Sequence, residues 1–213
     1  MDAFSNSAGR LIVDGLIETI QRHKQYLSDL DGLIGDGDHG INMNKGFSLC
    51  AEALKSDPGD LTHGLNLLAK ILMTKIGGSM GPLYGCFFEA MAKATAGKDT
   101  LDAVAFGEML RAAAAAIGTI SDAAVGEKTL VDALTPAVAA YEEALVAGAR
   151  FGEALALMEE AAVKGRDATR DMVAKKGRAS RLGERSRGVL DPGATSCCLI
   201  LCSTADSIMQ LIG

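Results

Sequence analysis

A chain of 213 residues with 48% hydrophobic residues suits one large domain, and nothing between residues 1 and 213 reads as a linker. A formal net charge of −6 argues against general nucleic-acid binding. The start, MDAFSNSAGRLIVDG, lacks the basic and apolar regions of a signal peptide, and no apolar run reaches the ~18 residues of a membrane span, so no membrane contact and a cytoplasmic location are expected.

Ala and Leu abound, Trp is absent and aromatics are 4%, which favours close-packed helices with a core of aliphatic side chains and Met. The first helix is expected from about Ser5 to Ser28, where Ile12, Val13, Leu16, Ile17, Ile20 and Leu27 form an apolar stripe. After an aspartate-rich turn, helix two should run from Gly40 or Asn42 to Leu54. Asp60 can cap helix three, which carries Leu61, Leu65, Leu68, Ile71 and Leu72. A Gly-rich turn, KIGGSMGPLYG (75–85), places Pro82 in the first turn of helix four.

Helix five is expected from Leu101 to Ile120 and a loop over 121–128. Thr129 caps helix six, which contains Pro136, as a bend or a late start, and ends at Gly148. Helix seven should span Phe151 to Val173. Asp191-Pro192-Gly193 then opens helix eight, which continues to the end. No alternating strand pattern competes. The expected fold is therefore all-α, with eight antiparallel up-and-down helices in a closed bundle or barrel.

Five cysteines, Cys50, Cys86, Cys197, Cys198 and Cys202, lack metal-ligand spacing and read as small core residues in a reducing compartment. His23 and His63 fall on helices and read as exposed.

The chemistry concentrates in DGLIGDGDHGINMNKGF, residues 31–47. Asp31, Asp36 and Asp38 lie within eight residues, separated by glycines, and a helix follows. Hard oxygen donors on such a turn suit Mg²⁺ or Ca²⁺, and the free N–H groups of a helix start suit an anion. An EF-hand loop counted from Asp36 would need Gly and Glu where Ile41 and Phe47 stand. In the second Gly-rich turn, Gly77, Gly78 and Gly81 let backbone approach a ligand, although the P-loop pattern is absent. Residues 175–187 hold six basic residues against Glu184 alone, a local +5 that leaves −11 elsewhere and marks a place for an anion. In an up-and-down bundle the turns after helices one, three, five and seven share one end. Those are the aspartate turn, the GGSMGP turn, the 121–128 loop and the basic loop, so metal and phosphate features meet in the loops at one end.

DGLIGDGDHGINMNKGF, GGSMGPLYG, GEKTLVDALTP and GRASRLGERSRGVLDPGATS, in that order, resemble the nucleotide-binding L subunit family of dihydroxyacetone kinases. The resemblance implies an eight-helix barrel holding ADP or ATP with two Mg²⁺ ions, working with a ketose-binding K subunit. It matches Asp31, Asp36 and Asp38 to metal ligands, and His39, Gly40, Ile41 and Asn42 to a nucleotide-contacting segment. Gly78, Ser79 and Met80 fall at the phosphates. Ser121, Thr129, Leu130, Arg178, Asp191, Pro192 and Gly193 fall at further nucleotide contacts, with Arg178 and the aspartates as the catalytic set. Met80 departs from the pattern, which has a small hydroxyl residue there.

Two mechanisms fit the resemblance. One is phosphoenolpyruvate-dependent, with bound ADP recharged by a phosphocarrier M subunit, and the other is ATP-dependent with exchanging nucleotide. A kinase for another small ketose such as a tetrulose, and a nucleotide-responsive regulatory module, are the alternatives. The residues leave the oligomeric state open, a homodimer included.

Overall fold

The structure, a computed structural model, describes residues 2–213. The described residues are predominantly helical. In order they form β1 (Ala3–Ser5), α1 (Arg10–Arg22), α2 (Lys24–Ile34), α3 (His39–Ser56), α4 (Leu61–Lys75) and α5 (Met80–Thr95). Then come β2 (Thr100–Asp102), α6 (Ala103–Ile120), α7 (Val131–Val146), α8 (Phe151–Ala168) and α9 (Pro192–Ile212). Successive helices pack side by side, α1 also packs on α3, and α9 returns to α1, which closes the ring. Signals at the element starts explain the boundaries. Asp60, Asp102 and Asp191 each accept a backbone N–H three residues on, from His63, Ala105 and Ala194.

The expected first helix divides at His23 and begins later, at Arg10. His23 leaves helical geometry, yet its N–H still bonds to the Thr19 carbonyl and its carbonyl accepts the Leu27 N–H, so the rod bends without ending. Eight helical rods therefore remain, the first of them kinked into α1 and α2. Asp31 belongs to the last turn of α2 rather than to the turn that follows.

Ser5 and Leu101, expected in helices, instead belong to a small antiparallel sheet that pairs Ala3 with Asp102, Phe4 with Leu101 and Ser5 with Thr100. The expected seventh helix stops at Ala168 and tightens into a 3-10 turn over Thr169–Asp171, and the basic loop contains another over Ala179–Ser186. Pro136 lies inside α7 and cannot donate to the Asp132 carbonyl. That carbonyl faces Gly165 of α8, where a Cβ would come within 2.0 Å of it, so the two helices touch at backbone level.

Aliphatic side chains and Met fill most of the core, but the few aromatics contribute more than composition suggests. Phe47, Tyr84, Phe87 and Phe88 form one buried cluster, and Phe106, Tyr141 and Phe151 a second, with edge-to-face pairs such as Phe87–Phe88 at 5.1 Å between centroids. The cysteines are free; Cys50, Cys197 and Cys198 are buried, Cys86 and Cys202 half-buried. His23 and His63 are also half-buried, and His63 Nε2 lies 3.2 Å from Asp57 Oδ2. Taken by mean hydropathy and length, α6 and α9 would each suffice for a membrane span; most of α9 is buried in the core.

Candidate functional site

Cavities open at opposite ends of the barrel, and two of them stand out. The larger, about 730 Å³, lies beside β1 and the starts of α4 and β2, among polar residues such as Asn6, Asp60 and Lys98. The other, about 340 Å³, is within the usual range for small-molecule sites and gathers all four loops expected to share an end. Its walls come from the aspartate turn, the GGSMGP turn, the 121–131 segment, the basic loop and Asp191–Gly193. The starts of α3, α5, α7 and α9 open onto it, so four helix N-termini direct partial positive charge at one place, although the first N–H groups of α7 and α9 are already met by Thr129, Leu130 and Asp191.

Local chain geometry frees the carboxylates. Asp38 precedes α3 yet makes no side-chain cap bond; Asp31 takes the His39 N–H instead, at 3.2 Å. Gly37 has φ +77°, which turns the chain between Asp36 and Asp38, and a Cβ on Gly35 would come within 2.2 Å of Asp31 Oδ1. The result brings one oxygen of each carboxylate within 4.8 Å of the others. Among the described residues their side-chain partners are the His39 N–H at Asp31 and the Arg178 guanidinium at Asp36. Most of the lone pairs remain unspent, and an all-oxygen donor set of this kind fits a hard divalent cation.

Behind the carboxylates stands a polar wall. His39 Nε2 is 2.9 Å from Ser196 Oγ, which in turn is 2.7 Å from the Tyr84 hydroxyl. Burial pushes the His39 pKa down to about 4 against the pull of Asp31, so the imidazole is neutral near pH 7. Burial raises Asp191 to about 7, opposed by its bond from the Ala194 N–H and by the Lys128 ammonium. Across the cleft, Leu83, Ile117, Leu130 and Val131 give an apolar surface.

Asp31, Asp36, Asp38, His39, Asn42, Gly78, Ser79, Met80, Ser121, Thr129, Leu130, Arg178, Asp191, Pro192 and Gly193 all line this cleft. Gly40 and Ile41 do not. Ile41 is exposed on the outer side of α3, and Gly40 packs against α2, where a Cβ would fall 2.0 Å from the Lys24 carbonyl. Met80 contributes an apolar side chain that is 9% exposed.

Sequence reasoning passed over three residues. Asp132 is buried and accepts the Gly126 N–H at 2.5 Å and the Thr129 N–H at 2.7 Å, shaping the third loop. The TLVD spacing that lets a carboxylate return to the N–H three residues back was its available signal. Tyr84 and Lys128 line the cleft without any such local signature.

The sequence profile described as "DAK2 domain" matches residues 33–206. The chain belongs to the DAK2 domain family. Among relatives of this DAK2 domain, the Listeria innocua "PEP-dependent dihydroxyacetone kinase 1, ADP-binding subunit DhaL" is 42% identical over 86% of this chain and 87% of its own. The Escherichia coli "PEP-dependent dihydroxyacetone kinase, ADP-binding subunit DhaL" is 38% identical over 81% of this chain and 82% of its own. A solved structure of the dihydroxyacetone kinase from C. freundii in complex with AMP-PNP and Mg²⁺ superimposes with a TM-score of 0.68 at 25% identity. That match covers 94% of this chain but only 33% of the solved chain.

Proposed function

We propose that this chain, residues 1–213 acting as a single unit, is the ADP-binding L subunit of a phosphoenolpyruvate-dependent dihydroxyacetone kinase. It presents a nucleotide phosphoryl group to dihydroxyacetone held on a separate K subunit. The observation that carries this reading is the convergence of three under-bonded carboxylates with four helix N-termini and an arginine in one cleft. The names of the DhaL relatives, matched over more than four-fifths of their length, support the assignment of donor and acceptor.

Phosphoryl transfer asks a protein chiefly for positioning and charge stabilisation. Backbone N–H groups at the starts of α3 and α5 receive phosphate oxygens, with Gly78 and Ser79 giving close backbone approach, while α7 and α9 contribute the positive ends of their dipoles. Arg178, carried on the basic loop, orients the outer phosphate and balances charge as it spreads over the oxygens. Leu83, Ile117 and Leu130 exclude water from the base. Neutral His39, fixed by Ser196, lines the cleft as a hydrogen-bonding group without adding charge. Asp31, Asp36 and Asp38 would hold two Mg²⁺ ions, which when bound neutralise the phosphates. The phosphoenolpyruvate-dependent route also calls for a phosphocarrier M subunit that recharges the bound ADP.

Reconstitution decides the matter. The purified chain mixed with a K-type subunit, a phosphocarrier system and phosphoenolpyruvate should phosphorylate dihydroxyacetone, and native mass spectrometry should find ADP and two magnesium ions on the chain. A complete mixture that leaves dihydroxyacetone unmodified while a known L subunit succeeds would refute it.

A further inference from the structure

Lys128 is buried, 1% exposed, and is the one non-glycine described residue with positive φ, at +64°. A lysine adopts left-handed backbone and leaves water only where something compensates. Here its ammonium sits 2.6 Å from the Ser186 carbonyl, 2.6 Å from that of Val189 and 3.3 Å from that of Met172. Three acceptors match its three donors. Those carbonyls lie on both sides of Arg178, Met172 before the basic loop, Ser186 at its end and Val189 just beyond it. Lys128 thus ties the neck of the loop, and Arg178 at its far part reaches Asp36 across the cleft.

Other bonds gather at the same neck. The Ala174 N–H donates to Ser186 Oγ at 2.9 Å, the Gly188 N–H to the Arg170 carbonyl at 2.7 Å, and the Lys175 N–H to the Glu127 carbonyl at 3.1 Å. The ammonium is the element that joins three strands of chain at one point, and beside it in sequence Thr129 and Leu130 line the cleft.

We propose that Lys128 is a positioning residue for phosphoryl transfer: it clasps both ends of the 172–189 segment and thereby holds Arg178 over the nucleotide. The role rests on the function proposed above, and it makes one residue set both the third loop and the arginine loop. Removing the ammonium leaves three carbonyls without their shared donor, so the neck opens and Arg178 samples positions away from Asp36.

The test pairs a double-mutant cycle with proteolysis. Lys128→Met keeps the stem and removes the charge; Arg178→Ala removes the group it positions. Each is expected to weaken Mg-ADP binding about tenfold by calorimetry, and the double variant to weaken it no further than about tenfold, because the first acts through the second. Multiplying losses, about a hundredfold together, would overturn the proposal, since a merely structural lysine lowers affinity independently of Arg178. Trypsin acting on the intact chain should cut within 175–187 about tenfold faster in Lys128→Met than in the parent. Equal cleavage rates would also overturn it. Should the chain fail to bind Mg-ADP at all, the proposed function falls and the trypsin result still decides the clasp. Where Lys128→Met does not fold, Ser186→Ala loosens the same neck and is held to the same two outcomes.

Discussion

Replacing Asp191 with Asn isolates the electrostatics of the cleft floor from its hydrogen bonding. Asp191 is 8% exposed, and its Oδ2 accepts the Ala194 N–H at 2.7 Å at the start of α9. Asn supplies an equivalent acceptor and is as good a cap, but it does not titrate. Burial raises the Asp191 pKa from 3.8 to about 7, more than the Ala194 bond and the Lys128 ammonium pull it down. The folded state therefore holds the proton more tightly than the unfolded chain. Its contribution to stability is full below the unfolded value of 3.8 and is lost as pH rises to about 7. At roughly 1.4 kcal/mol per decade of proton concentration, the interval corresponds to a ceiling of about 4 kcal/mol. Urea unfolding of both proteins, without nucleotide or metal and at steps from acid to mildly alkaline pH, reads this directly. The Asn variant should gain on the parent as pH rises, by up to about 4 kcal/mol, and level off above neutrality. Parallel stability curves across that range would refute the buried-carboxyl argument.

Asp38→Ala should lower Mg-ADP affinity by about a hundredfold, the scale of a lost charged contact, with far-UV circular dichroism unchanged because Asp38 makes no cap bond. Unchanged calorimetric affinity would remove it from the cation set. Gly40→Ala should cost about 1–3 kcal/mol in chemical denaturation, since its Cβ would meet the Lys24 carbonyl at 2.0 Å and push α2 from α3. A neutral result would show that the two helices do not pack as described.

The end of the barrel that carries the cleft was legible because its loops declare themselves chemically. Asp-Gly alternation, paired glycines and a run of arginines are each unusual, and helix parity alone put them on one face. The kink at His23 was not legible, because backbone hydrogen bonding and apolar spacing continue through it. Three-residue strands such as β1 and β2 are too short to show alternation. The His39 to Asn42 run illustrates a different limit. Successive side chains of a helix turn by about 100°, so four in a row cannot all line the cleft, and Gly40 and Ile41 can meet a ligand there only through their N–H groups at the start of α3. Lys128 had no signature at all: its three acceptors lie 44 to 61 residues along the chain.

The two halves of the cleft place opposite demands on a ligand. Four helix starts and Arg178 favour negative charge, whereas Asp31, Asp36 and Asp38 repel it. A simple anion would be attracted by one half and rejected by the other, and a lone cation would meet the helix N-termini unfavourably. A polyphosphate carried with divalent cations answers both at once, because its oxygens lie toward the helix starts while the cations lie toward the aspartates. Separate binding of ADP and of Mg²⁺ should therefore each be much weaker than binding of the pair. By linkage, each component must raise the affinity for the other by the same factor. Calorimetric titration of ADP with and without magnesium, and of magnesium with and without ADP, measures both factors. Equal affinities in the presence and absence of the companion would show that the acidic and the helix-terminal halves do not serve one ligand.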